Sequence, residues 1–359
     1  MLGELRLVRQ LASGNTSVVF LARRSDHVVV VKLPHRALTA DHAFVEAFVN
    51  GARAAISLQH PNTCELLEVG VEQGAPFLVQ EHVRGRSLHD LREMANERRR
   101  RLPVEAAVHI VCEALSGLDF AHRALAAAHL GVSPHAVLIG DDGEVKLNGV
   151  GMGPARAVRQ GVPAARLPYV APEQVTGAPV GQAADIFAAG VMVYELLHGA
   201  GGRLWPQPHT LLKMRKTGFG LEPLGHSRPG LPSGLESAID RALRRDPADR
   251  YATAEGFAAA LRHAIEQTGR SFGAFDLRRL LTDLFAGEAP SDPEPPVDPT
   301  NLLDVEAMAQ QGGADFIDDD PTLEETRPPF FDELGEITLV EGGWDDIRTH
   351  VDPDEPEDG

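Results

Sequence analysis

The chain has 359 residues, 43% of them hydrophobic, which suffices for one large two-lobed domain or two ordinary ones. Its only two cysteines, Cys64 and Cys112, lie in apolar stretches, which excludes a disulfide framework or a Cys-rich zinc site; no run approaches the roughly 18 apolar residues of a membrane span. The net charge of −18 is unevenly placed: residues 286–359 hold 23 of the 52 acids but only Arg327 and Arg348 of the 34 bases, leaving 29 acids against 32 bases before them.

A near-neutral domain with an acidic tail is expected, and the tail's charge argues against nucleic acid as a partner. The opening Met-Leu-Gly-Glu-Leu-Arg lacks the basic-then-apolar layout of a signal peptide, so a cytoplasmic protein without a membrane partner is expected.

In chain order, Leu5–Leu11, Val18–Arg23 and Val28–Leu33 are β-branched or alternating runs separated by turn-rich or polar segments, the pattern of a three-stranded meander. Asp41 then caps a predicted helix in which Phe44, Phe48, Ala52, Ala55 and Leu58 recur at helical spacing, until His60-Pro-Asn62 breaks it. Strands around Glu65–Val71 and Pro76–Val83 complete a five-stranded lobe. Helices dominate from Ser87 onward, the longest over Val104–Ala126, Gln182–Leu197, Ser233–Arg244 and Thr253–Thr268. One hairpin turns at Asp141-Asp142-Gly143. Leu277, Leu280, Leu281 and Leu284 mark a last helix. Beyond it, ten prolines and acidic runs such as Asp315–Thr326 bury too little apolar surface to offset ordering entropy, so disorder is predicted. The expected organisation is α+β: a β-rich lobe over 1–83, a helical lobe over 84–270, an accessory helix in 271–286 and a disordered acidic tail over 287–359.

Four strings in order carry a family likeness. Val29-Val-Val-Lys32 is similar to the strand that presents an ATP-phosphate lysine, and Tyr169-Val-Ala-Pro-Glu173 to the end of a kinase activation segment. Asp185-Ile-Phe-Ala-Ala-Gly190 is similar to the central C-lobe helix, and Asp246-Pro-Ala-Asp-Arg250-Tyr251 to the final kinase block. From about residue 4 to 268 the chain thus resembles the bacterial eukaryotic-like Ser/Thr protein kinases. The resemblance implies a two-lobed protein-kinase-like fold, a buried Glu173–Arg250 ion pair, and structural roles for His129 and Asp185.

Counting from those anchors locates the chemistry, and its acids are missing. Phosphoryl transfer needs a carboxylate beside the substrate hydroxyl and oxygen ligands for magnesium. In the segment His129-Leu-Gly131, the family's catalytic Asp falls on Gly131; five residues on, its magnesium-binding Asn falls on Ala136; the Asp of Asp-Phe-Gly falls on Gly149. The helix glutamate that pairs with Lys32 falls on Gly51, and Glu46 is a poor substitute because five residues along a helix is about 140° around its axis. The Gly-rich loop keeps only Gly14 of three glycines, and Val30 stands where the family has a small alanine against adenine. Val19 and Leu138 keep the apolar character of the positions that sandwich the ring. Nucleotide-binding remnants are therefore Gly14, Val19, Lys32 and Leu138, with ATP binding expected to be weak or absent, magnesium not expected, and no other metal site.

The leading expectation is a pseudokinase: a non-catalytic scaffold or allosteric regulator in bacterial Ser/Thr kinase signalling. The alternative is a divergent active Ser/Thr kinase or another ATP-dependent transferase. Residues 149–175 contain no Ser or Thr, which excludes switching by hydroxyl phosphorylation there except at Tyr169, expected to be structural. Arg156, Arg159 and Arg166, with Arg98-Arg-Arg-Arg101, are expected to form a basic loop surface onto which the tail folds back. Thr322 and Thr326, set among acids, look like targets of phosphothreonine-binding forkhead-associated modules. The expected partner is a protein, either an active Ser/Thr kinase or such a module.

Overall fold

The computed structural model describes residues 5–13, 16–72, 74–158, 164–199, 205–206, 208–217, 221–288, 337–339 and 347–349. Strands β1 (Leu5–Ser13), β2 (Ser17–Arg24) and β3 (His27–Pro34) form an antiparallel meander. The short α1 (Arg36–Thr39) and the longer α2 (His42–Ala55) follow, then β4 (Leu66–Glu72) and β5 (Ala75–Glu81). β5 inserts between β3 and β4, giving the order β1-β2-β3-β5-β4.

The period-2 alternation of these strands gives the sheet two apolar faces. One buries Leu5, Leu7, Phe20, Val29, Val31, Phe77 and Val79 against each other. Leu66 and Leu78 on the other side pack with Phe44, Phe48, Ala52 and Ala55 of α2, whose start is capped by the Asp41 carboxylate accepting from the Ala43 and Phe44 amides. Val150, Met152 and Ala155, from the far lobe, join that second cluster, so the helix is packed against both lobes.

The second lobe begins with β6 (Gly85–Ser87), which the sequence did not suggest, and α3 (Leu88–Glu97), started by a Ser87–Asp90 capping box. α4 (Val104–Leu125) leads to β7 (Val137–Gly140) and β8 (Val145–Leu147), which pair with β6 in a second sheet of order β6-β7-β8. Then come α5 (Gly153–Val158), α6 (Pro172–Thr176), α7 (Gln182–His198), α8 (Pro208–Thr217), α9 (Leu224–Ser227), α10 (Ser233–Ala242), α11 (Ala254–Glu266) and α12 (Ala274–Leu284). α7 is buried on nearly every face, which is why its sequence is largely apolar; α4 and α10 pack against it, and α11 packs on α4 and α10.

α12 buries Leu277, Leu281 and Leu284 on the lobe, and Arg86 stacks over Phe285 just beyond it, 4.2 Å from the ring centre. In the tail, β9 (Ile337–Leu339) and β10 (Ile347–Thr349) pair antiparallel, a ladder of three residues a strand. The rest of the tail, where disorder is expected, lies outside the described residues. No helix among the described residues is long and apolar enough to cross a membrane.

Candidate functional site

The site lies where β3, α2, the loop 129–136 and the loop 148–153 meet. Asp185 on α7 fixes the first loop: its carboxylate accepts from the His129 amide at 2.6 Å, the Leu130 amide at 2.7 Å and the His122 ring at 2.8 Å. These bonds, and an Arg166 guanidinium donating to the Leu130 carbonyl, hold Leu130 at φ +53°, a conformation costing about 1–2 kcal/mol for a residue with a Cβ. His129 is buried between the two loops. Its Nδ1 accepts from the Gly131 amide at 3.2 Å, so its Nε2 carries the proton and donates to the Asn148 carbonyl at 3.1 Å. Burial, and then the charge of Arg156, hold this imidazole well below its usual range, so it is neutral.

Arg156, on α5, reaches back into the space between the loops. One of its terminal nitrogens donates to the His129 carbonyl at 2.7 Å and to the Gly149 carbonyl at 3.2 Å. A Cβ added at Gly131 would lie 2.4 Å from the guanidinium carbon, and one added at Gly149 would lie 2.5 Å from a guanidinium nitrogen. A single cation therefore fills the volume that side chains at both positions would enter. Burial and the neighbouring Arg166 lower its affinity for the proton, yet a guanidinium stays charged at neutral pH.

Lys32 meets no carboxylate among the described residues. Its ammonium donates to the side-chain carbonyl of Asn148 at 2.6 Å. Burial, partly opposed by the Cys64 thiol and reinforced by Arg156, lowers its pKa from 10.5 to about 8. Position 51 on α2 has no room for a longer side chain: a Cβ there would meet the Gly151 carbonyl oxygen at 2.1 Å, and one at Gly151 would meet the Gly51 oxygen at 2.5 Å. Helix and loop thus touch backbone to backbone. Glu46 is exposed. A separate ion pair ties the lobes, Lys146 on β8 donating to both Glu81 oxygens at 2.8 and 2.9 Å.

Of the residues singled out in the sequence, Glu173 and Arg250 meet in a bidentate pair with both N–O distances 2.7 Å, 4% and 2% exposed. The remaining Arg250 donors go to the carbonyls of Arg244, Ala183 and Arg245. Val19 stands opposite Lys32 in the β2–β3 register and Leu138 opposite Lys146, both partly exposed, while Val30 is buried. Ala136 contributes only its backbone, its carbonyl accepting from the Asn148 amide at 2.7 Å. Gly14, Arg159, Thr322 and Thr326 lie outside the described residues. Tyr169 is buried, its hydroxyl donating to Glu195 at 2.5 Å, which removes it from reach of a modifying enzyme.

Two residues escaped the sequence reading. Asn148 directly precedes Gly149, and its amide is the partner Lys32 takes. Arg156 was expected on a basic loop surface with Arg166; instead both are turned inward onto loop carbonyls. The available signal was the coincidence of glycines at two acid positions with an arginine seven residues after the second.

A family model described as protein kinase domain matches residues 5–263, the span of both lobes. The chain belongs to the protein kinase family. Among curated relatives of this kinase-family chain, the tyrosine-protein kinase MasK of Myxococcus xanthus is 33% identical over 80% of this chain and 47% of its own length. The serine/threonine-protein kinase PknL of Mycobacterium tuberculosis is 32% identical over 72% of this chain and 65% of its own. The chain thus spans about half to two thirds of the length of these relatives. Among solved structures, the PknI kinase domain of Mycobacterium tuberculosis superposes with a TM-score of 0.57 at 25% identity, over 73% of this chain and 96% of that one.

Proposed function

We propose that this kinase-family domain does not transfer phosphate and works as a pseudokinase, a folded scaffold or allosteric regulator whose partner is a protein, either an active Ser/Thr kinase or a phosphothreonine-binding module, in the cytoplasm. The observation that carries the reading is the Arg156 guanidinium packed against both Gly131 and Gly149. A catalytic base has to lie within hydrogen-bond reach of the hydroxyl it deprotonates, and loss of such a base alone costs on the order of 10²–10⁴ in rate. Magnesium asks for oxygen ligands, yet Gly131, Ala136 and Gly149 bring no side-chain oxygen and a fixed positive charge stands against Gly131 and Gly149. The residues therefore do not fit the metal, and among the described residues no three His, Cys, Asp or Glu side chains converge for one. The buried Glu173–Arg250 pair and the Asp185 anchor support a domain kept for its shape.

The test is phosphotransfer from labelled ATP with magnesium to the chain itself and to a general protein substrate, comparing the native chain with Lys32→Met. No transfer above the Lys32→Met background is expected. Transfer that Lys32→Met abolishes overturns the reading in favour of a divergent kinase. Thr322 and Thr326 are the proposed phosphorylation sites for an active partner kinase, read out by mass spectrometry after incubation with one.

A further inference from the structure

Lys32 and Arg156 hold consecutive residues of one loop, the lysine on the Asn148 side chain and the arginine on the Gly149 carbonyl. Both are cations. Among the described residues neither has a carboxylate partner: the ammonium bonds to a neutral amide, and the guanidinium to two carbonyls and the neutral His129 ring. Among the described residues the acid bearing on Arg156 is Asp185, whose two oxygens already accept from three N–H groups of the 122 and 129–130 region. Two partly buried positive charges side by side without a counter-charge are costly. An anion bound beside them would offset that cost. In a metal-dependent phosphate site, acids hold a divalent cation and the cation meets the phosphates. Here the acids are glycines and the cation is covalently part of the chain.

We propose that Lys32 and Arg156 form a metal-independent polyphosphate site, in which the Arg156 guanidinium takes the place of the divalent cation. The guanidinium fork suits two phosphate oxygens at once, and Lys32 supplies a point charge beside it. The proposal rests on the pseudokinase reading, since it needs the positions around Arg156 to be free of acids. It also gives the lost carboxylates a consequence: an Asp at 131 or 149 would pair with Arg156 and neutralise the site. Divalent metal weakens binding in this arrangement, because it lowers the ligand's charge and competes with the guanidinium for the same oxygens.

The test uses the whole chain and measures affinity by calorimetry for three probes: ATP in EDTA, inorganic tripolyphosphate in EDTA, and ATP with excess magnesium. The site is expected to bind ATP in EDTA, and to bind it more weakly with magnesium and as salt rises. Tripolyphosphate binding as tightly as ATP assigns recognition to the phosphates alone; tighter ATP binding adds a contribution from the nucleoside. Arg156→Gln, which keeps hydrogen-bonding groups without charge, is expected to weaken binding about tenfold or more, with the fold checked by its unfolding midpoint. Lys32→Met is the second variant, in case the first fails to fold. Absence of binding in EDTA for both probes, or binding unchanged in both variants, overturns this proposal and leaves the pseudokinase reading standing. Binding that requires magnesium, together with phosphotransfer, overturns both.

Discussion

The ammonium of Lys32 lies 2.6 Å from the side-chain oxygen of Asn148, a neutral group where the family resemblance leads one to look for a carboxylate. Among the described residues the lysine is held by a dipole, without a charged partner.

This gives the chain a specific pH dependence. The folded pKa of Lys32 is lowered from 10.5 to about 8, chiefly by burial. Below pH 8 both folded and unfolded chains carry the proton and the cost of the buried charge is present in full. Between pH 8 and 10.5 the unfolded chain keeps a proton that the folded chain has released, so this residue makes stability rise with pH across that window. The cost is roughly 2–3 kcal/mol after allowance for the part of the side chain that water reaches. Lys32→Met is expected to raise the urea midpoint at pH 7.5 and to flatten the rise between pH 8 and 10. An unchanged pH profile in the variant contradicts the assignment.

The Glu173–Arg250 pair is expected to matter far more than surface pairs such as Arg262–Glu255. Both partners are almost fully buried, so removing one leaves a buried charge without compensation. Glu173→Gln or Arg250→Met should each cost about 3–5 kcal/mol, while Arg262→Ala should cost under about 1 kcal/mol. Urea unfolding of the three variants checks the ranking. Similar midpoints for all three would show that the buried pair is not structural.

Gly51 predicts that the missing lysine partner cannot simply be put back. With the Gly151 oxygen 2.1 Å from the first carbon of any side chain, Gly51→Glu forces α2 away from the loop. Gly51→Ala alone should cost about 1–3 kcal/mol, as overpacking does elsewhere. Gly51→Glu should cost at least as much and leave the Lys32 pH dependence in place. Abolition of that dependence by Gly51→Glu would show that the glutamate does reach the lysine.

Much of the fold was legible in the sequence because its signals are local. The β-branched run Val28–Leu33 and the helical spacing of Phe44, Phe48, Ala52 and Ala55 are each local to one element, and β3 and α2 form there. The helix expected over Gln182–Leu197 forms as α7. β6 was missed because three residues, Gly85–Ser87, are too few to show a period and pair only through a strand some fifty residues on. Glycines at 51, 131 and 149 read as losses in sequence. Each is also a place of close approach, and that is visible only once the neighbour is known.

The sequence by itself determined the two lobes, the acidic tail and the positions from which carboxylates are missing, because spacing from intact motifs is a property of the chain. The tertiary structure alone decided what occupies those positions. Lys32 and Asn148 are 116 residues apart, and Arg156 reaches His129 across 27. Whether an arginine turns to solvent or into a cleft depends on the volume that distant residues leave and on the carbonyls they point at it. Here two glycines leave the space, and the carbonyls of His129 and Gly149 supply the bonds that hold the charge in it.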